Sequence, residues 1–519
     1  MKKRVFNFVI IGLLLAGCGA KAGTPTLTST QPQSTATQPS ANPSQAASTP
    51  EQNAPSGNVK VQVNGSLRYQ VFEGFGGTLT IFEDEGIFNR HDPTQPLKTT
   101  ASDEQRKGIA ELLYRQLGIT RTRVFPANFE PANDNHDPFI INASAFDWKL
   151  VDPLTHFVEL ARPYGLKNWW ASFSMDTGHG QAWLRKGDNP CALDPAKIDE
   201  EVEWILAAAL HFREQGQELP FLTINNEPDL CPPGYKIEIM DYVTIIKRLG
   251  ERLHTEGLST KIVVSDGWIP QNAYEYMQAV LADHEASQYV GALAYHSYAD
   301  GYDDPNMLLN SSAFGQPPHA AVEIRQKIRD LAAQYNLPVW MTEVCYCTRK
   351  EPGDFELVRG RLNHIEDELI YGNVSAFDVM NLFFLRRPGI NDELVEIYFH
   401  PDGTLDRYDI STYGYLLGHF SRFIIPGSIR LDVSSSDPGL RVVAFERPDG
   451  KVVIVAINNN PTAVTANISL AGLGQLPASM SVLASRDGAI WDNRPGIPVS
   501  NSVAIIELQP LSVITLLGN

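Results

Sequence analysis

Two glutamates stand where a hydrolytic enzyme would want them. Glu227 closes the run Thr223-Ile224-Asn225-Asn226-Glu227, just before Pro228, and Glu343 closes Pro338-Val339-Trp340-Met341-Thr342-Glu343. Both runs are short and largely apolar, so both read as strands, and Pro228 ends the first because it cannot donate to a ladder. A carboxylate at the end of such a strand is costly unless it is paired or used. Cleaving a glycosidic bond by the retaining route needs two carboxyl groups on one cleft, about 5–5.5 Å apart. One keeps its proton for the leaving oxygen, and the other stays ionised to attack the anomeric carbon. The ordinary alternative for each glutamate is a solvated loop acid or a structural ion pair.

The surrounding chain supplies elements that could hold such a pair. Short apolar runs at Gly76–Phe82, Thr120–Phe125, Lys167–Phe173, Phe221–Asn226, Lys261–Asp266, Ala292–Tyr298, Pro338–Val344 and Ala376–Phe384 predict eight strands. Between them Asp103–Leu117, Ile198–Gln215, Ile237–Thr255, Ala320–Tyr335 and Glu356–Tyr371 show helical periodicity, as in Ile109, Leu112, Leu113 and Leu117. Ser102 and Gln105 form a capping-box pattern at the first helix. This alternation predicts an α/β fold, a (β/α)8 TIM barrel over residues 74–421, with Glu227 and Glu343 on strands four and seven. An open doubly wound sheet is the rival, and it would want a Gly-rich phosphate loop after the first strand. Beyond Phe420 the texture becomes short strands and turns: Ser428–Val433, Arg441–Phe445, Val452–Ile457, Val464–Leu470, Met480–Ala484, Ala504–Gln509 and Ser512–Leu517. Residues 422–519 therefore read as an associated all-β sandwich side domain. Residues 58–73, with alternating Val59, Val61 and Val63, would add a strand to it, so the sandwich is built from both chain ends.

Asn226-Glu227-Pro228 together with Thr342-Glu343 resembles clan A of the glycoside hydrolases. Within that clan, Phe72-Glu73-Gly74-Phe75-Gly76-Gly77 and the long stretch Tyr413–Gly427 are similar to glycoside hydrolase family 30. The resemblance runs from about residue 60 to the C-terminus. It implies net retention through a glycosyl-enzyme intermediate, with Glu227 as acid/base and Glu343 as nucleophile. By the same resemblance, Asn226 matches the residue that bonds the sugar 2-hydroxyl, and Arg123 matches an arginine at the end of strand two. Strict alternation would point Asn226 and Glu227 to opposite sides, so a bulge or twist is required. A guanidinium beside Glu343 would favour its ionised form; a structural ion pair under the barrel mouth is the alternative.

Other positions follow from parity. His296 and Tyr298 share one face of strand six, which offers Tyr298 to Glu343 and His296 to a sugar hydroxyl. A buried histidine satisfied by backbone is the alternative. Trp170 and Trp183 are candidates for stacking on sugar rings, or equally for core, whereas Trp340 is out of phase with Glu343 and should face the helices. The chain departs from family 30 at Ala376–Leu382, where Phe377 and Met380 stand without the usual Trp, and at Ser174–His179, which lacks a Ser-Pro-Pro run. Both regions shape the sugar pocket, so xylan, glucan, galactan and glycolipid remain open as substrates, as do endo and exo action. No metal or organic cofactor is implied, because two carboxylates and water suffice.

The start of the chain reads as an export signal over residues 1–18: Lys2, Lys3 and Arg4, then an apolar run, then Leu15-Ala16-Gly17-Cys18. The last four residues resemble a bacterial lipobox, which implies lipidation of Cys18 and a location at the cell surface. A plain secretory signal is the alternative. Residues 19–57 are Ser, Thr, Pro, Gln, Ala and Gly with almost no charge, a disordered linker reaching on the order of 35 Å. Four cysteines follow: Cys191, Cys231, Cys345 and Cys347. In an exported chain they suggest disulfides, while Cys345-x-Cys347 also leaves a metal site or free thiols open. A net charge of −18 argues against nucleic acid and anionic lipid as partners, leaving a carbohydrate substrate and a membrane contact through the lipid alone. A surface-tethered carbohydrate-binding protein on an inactive barrel is the second reading; a pure binder has no need of both glutamates.

Overall fold

A computed structural model describes residues 58–127, 135, 137–173, 182–231, 234–298, 319–345, 355–386 and 392–519. The export signal, Cys18, the linker 19–57, the Ser174–His179 loop and Cys347 lie outside the described residues.

The described chain enters along β1 (Asn58–Val71) and turns into the barrel strands β2 (Gly74–Gly77), β3 (Arg121–Val124) and β4 (Asn168–Ser172). A small hairpin, β5 (Arg185–Lys186) and β6 (Asn189–Leu193), precedes β7 (Phe221–Thr223), β8 (Lys261–Gly267), β9 (Val290–His296), β10 (Val339–Glu343) and β11 (Ala376–Val379). β2, β3, β4 and β7 to β11 form one eight-stranded sheet, parallel wherever its neighbours pair. A parallel bridge between Thr78 and Arg123 and the bond from Thr120 N–H to Phe75 O, at 2.9 Å, close the ring between β2 and β3. Helices such as Ile198–Glu214, Ile239–Thr255 and His319–Tyr335 lie between the strands. Ser102 and Gln105 make the reciprocal capping box at the helix Asp103–Ala110.

The close approach of β2, β3 and β11 inside the barrel needs glycine. A Cβ on Gly76 would stand 2.3 Å from Asp378 Oδ1 and 2.6 Å from Arg121 Cβ. Small residues at this place make room for two charged side chains inside the barrel. Trp170, Trp340, Val263, Ala292, Ala294 and Ala376 fill the rest of the interior.

The structure corrects the expected eighth strand. Ala376–Phe384 is not continuous: β11 ends at Val379, and β12 (Asn381–Leu385) leaves the barrel for a three-stranded sheet with β13 (Glu393–Phe399) and β14 (Leu405–Ile410). Asn381, Leu382, Phe383 and Phe384 are all buried, so burial on both sides of the break hides it from hydropathy.

The C-terminal strands are β15 (Ile429–Ser435), β16 (Leu440–Glu446), β17 (Val452–Asn458), β18 (Val464–Ala471), β19 (Ser479–Arg486), β20 (Ala489–Ser500), β21 (Val503–Leu508) and β22 (Ser512–Gly518). β1 joins them, antiparallel to β15 and parallel to β18, and the nine strands close on themselves around their own apolar core. β20 was not foreseen. Its Pro495, Gly496 and Pro498 signal breaks, and none of its residues is buried. Arg441 ties this unit to the barrel through Glu366 and Asp367, and His419 reaches Thr515 and Ser485.

Candidate active site

The strand ends converge on one buried cluster. β10 brings Thr342 and Glu343, β9 brings His296, the turn after β7 brings Asn226 and Glu227, β8 brings Asp266, β4 brings Ser172 and β3 brings Arg123. Two local irregularities aim these groups. A register shift in the β9–β10 pairing falls between Met341 and Glu343, so Thr342 and Glu343 both point inward. The strand before Glu227 ends at Thr223, and Glu227 itself takes a left-handed backbone with φ 56°. Its N–H donates to Asp266 O at 3.0 Å and that of Asn226 donates to Phe173 O at 2.6 Å. This turn, rather than alternation, brings Asn226 and Glu227 to the same cleft.

Arg123 is wholly buried and sits at the centre. It donates to Glu343 Oε2, to Asn226 Oδ1 and, at 2.7 Å, to Asp266 Oδ2, with Ser172 Oγ 3.0 Å away. Tyr298 donates its hydroxyl to Glu343 Oε1 at 2.9 Å. Burial first, and then Glu343, push the Tyr298 phenol well above its ordinary range, so it remains a donor.

His296 bridges two acids: Nδ1 lies 2.9 Å from Glu227 Oε1 and Nε2 lies 3.1 Å from Asp266 Oδ1. Burial opposes its charge, but Glu343, Asp266 and Glu227 overcome that and raise it to about 10. Asp266 is also buried, yet Arg123, His296 and the Thr342 hydroxyl hold its carboxyl well below the usual range. Glu227 behaves in the opposite way. Burial raises its carboxyl to about 7, against the pull of His296 and with some help from Glu343 and Asp229.

An oxygen of Glu227, a ring nitrogen of His296 and an oxygen of Glu343 all lie within 4.8 Å of one another. Such a trio could in principle grip a cation. A doubly protonated imidazole has no lone pair to give, however, and both His296 nitrogens already face carboxylates.

Three expectations need correction. His296 was expected to reach a sugar hydroxyl, but its two nitrogens are taken by Glu227 and Asp266. Trp170 was a candidate stacking residue, but it is 1% exposed inside the barrel, with its indole N–H 3.2 Å from Asp378 Oδ2 and its ring beneath Arg123. Trp340 was expected to face the helices, yet it packs against Trp170 with ring centroids 5.9 Å apart and carries Arg121 over its face. The shift before Glu343 resets the parity on which that expectation rested. Trp183 is half-buried against the core, with the Lys197 ammonium 5.9 Å from its ring, and is not gathered with the glutamates. Asp266 was missed, although it too is an acid ending an apolar run, Lys261–Asp266. Cys191 and Cys231 form a disulfide with Cα atoms 5.5 Å apart, tying β6 to the segment after Glu227.

Comparison with known proteins now bears on this geometry. Residues 427–516 match the glycosyl hydrolase family 30 β-sandwich domain. The lysosomal acid glucosylceramidase of Mus musculus is 26% identical over 443 residues, covering 79% of each chain. Glucuronoxylanase XynC of Bacillus subtilis (strain 168) is 27% identical over 259 residues, 46% of this chain and 55% of that one. The chain is a family 30-like glycosidase. The solved family 30 endoxylanase of Clostridium papyrosolvens C71 shares its fold, with a TM-score of 0.64, 18% identity, and coverage of 89% of this chain and 100% of that one. The glycosidase thus places its buried charged cluster at the C-terminal ends of its barrel strands, where this architecture gathers functional groups.

Proposed function

We propose that this glycosidase cleaves β-glycosidic bonds with retention, with Glu343 as nucleophile and Glu227 as acid/base. The observation that carries the reading is the approach of the two carboxyl groups, an oxygen of each lying within 4.8 Å of the other. Retaining enzymes hold their pair about 5–5.5 Å apart, whereas inverting enzymes leave about 6.5–9.5 Å for a water. The charges divide the labour. With Asp266 and Glu343 ionised, Arg123 and His296 cancel them one for one, and Glu227 is left to carry a proton.

In the first step a Glu343 oxygen bonds to the anomeric carbon as the bond to the leaving oxygen breaks. The Glu227 proton passes to that oxygen. In the second step water attacks the same carbon, its proton goes to Glu227, and the bond to Glu343 breaks. Asn226, held by Arg123, is placed to meet the sugar 2-hydroxyl, and Tyr298 supports Glu343 throughout. NMR of the first-formed product tests this: the retained β-anomer is expected, and the inverted α-anomer would overturn it.

The substrate in this reading is a β-linked poly- or oligosaccharide outside the cell. The lipobox-like Leu15-Ala16-Gly17-Cys18 and the linker 19–57 support export and a lipid anchor at Cys18. Relatives named for glucosylceramide and for glucuronoxylan support a β-linked sugar without choosing one.

A further inference from the structure

Two residues past Glu227, Asp229 takes no part in the steps above, yet it is buried and fully engaged. It is 6% exposed. Its Oδ1 accepts from the Trp268 backbone N–H at 2.8 Å, and its Oδ2 accepts from Asn272 Nδ2 at 3.0 Å. Both donors follow β8, the strand that carries Asp266. The same turn is tied by Leu230 N–H to Glu227 O at 3.0 Å, and the Tyr276 hydroxyl, which donates to Ile237 O at 2.6 Å, also stands 3.2 Å from Pro228 O. These ties matter because Glu227 occupies left-handed backbone, which a glutamate holds only under constraint.

We propose that Asp229 is a positioning residue, whose carboxylate bolts the Glu227 turn to the segment after β8 and so keeps the acid/base carboxyl opposite Glu343. The proposal rests on the reading of Glu227 as acid/base. A carboxylate suits the task because it accepts from a backbone N–H and a side-chain amide at once, through separate oxygens. Asparagine keeps one accepting oxygen, and alanine keeps none.

The test compares a 2,4-dinitrophenyl with an unsubstituted phenyl β-glycoside, using whichever of glucose, xylose or galactose the wild-type chain hydrolyses fastest. The first leaving group needs little protonation, and the second needs the acid. Glu227→Ala sets the scale, with a loss on the phenyl substrate on the order of 10²-fold or more beyond that on the dinitrophenyl substrate. Asp229→Ala is expected to lose about tenfold more on the phenyl substrate than on the other, with Asp229→Asn in between. Asn272→Ala removes one donor from the opposite side, and it is expected to show the same split, in smaller degree, even if Asp229→Ala does not fold. Equal losses on both substrates in the Asp229 and Asn272 variants, with Glu227→Ala still split, would overturn the proposal and leave the reading of Glu227 standing. Equal losses in Glu227→Ala itself would overturn that reading and the proposal with it.

Discussion

The His296 ring stands between Glu227 and Asp266, 2.9 Å from the first and 3.1 Å from the second. One imidazolium therefore serves two carboxyl groups of opposite habit: Asp266 is held ionised, while desolvation raises half-buried Glu227 to about 7.

This relationship sets a pH dependence. Glu227 must be protonated to donate, so kcat/KM should fall as pH rises through about 7. The positive His296 restrains the rise of the Glu227 carboxyl. In His296→Gln that restraint is gone, Glu227 keeps its proton to higher pH, and the basic limb of the profile should move upward. A limb that stays in place or moves downward would contradict the coupling.

Arg123 holds Glu343 and Asp266 together inside the barrel. Arg123→Ala leaves two buried carboxylates without the guanidinium they share, and removing one partner of such a pair costs roughly 3–5 kcal/mol. A large fall in melting temperature with loss of turnover is expected. Arg123→Lys keeps the charge but not the fork. It should recover most of the stability while kcat remains down on the order of 10²-fold.

Trp170 supports the site from below and offers no face to a sugar. Trp170→Ala should destabilise the fold by about 3–5 kcal/mol, read from denaturant unfolding. Trp170→Phe should be milder and should leave KM near the wild-type value. A large rise in KM without loss of stability would return Trp170 to the role of a stacking residue.

The Cys191–Cys231 disulfide closes a separation of 40 residues across the segment after Glu227. Replacing both by serine should lower stability by about 2–4 kcal/mol. A melting temperature unchanged under reducing conditions would argue that hydrogen bonds such as Lys236 N–H to Cys191 O already hold these segments.

Much of the architecture was legible because it is repetitive. Runs such as Lys261–Asp266 and helices with apolar residues three and four apart express burial directly. The two glutamates were legible because an acid ending an apolar strand demands a reason. Asp266, which ends Lys261–Asp266, carries the same signal. What stayed hidden depends on single backbone departures: the left-handed turn at Glu227, the register shift before Glu343 and the break at Met380. Each changes which way side chains point without changing the residue pattern. Trp340 is misplaced for that reason, since parity counting assumes an unbroken ladder, whereas Trp170 lies on an unbroken strand and takes the core place that its residue type equally allows.

The division of labour between the glutamates is tested most directly by trapping the covalent intermediate. A 2-deoxy-2-fluoro β-glycoside with a good leaving group, of a sugar the enzyme hydrolyses, should inactivate it with time. Peptide mass spectrometry should then place one sugar on Glu343. A label on Glu227 or elsewhere, or no label in an enzyme that turns over the parent glycoside, would contradict the account.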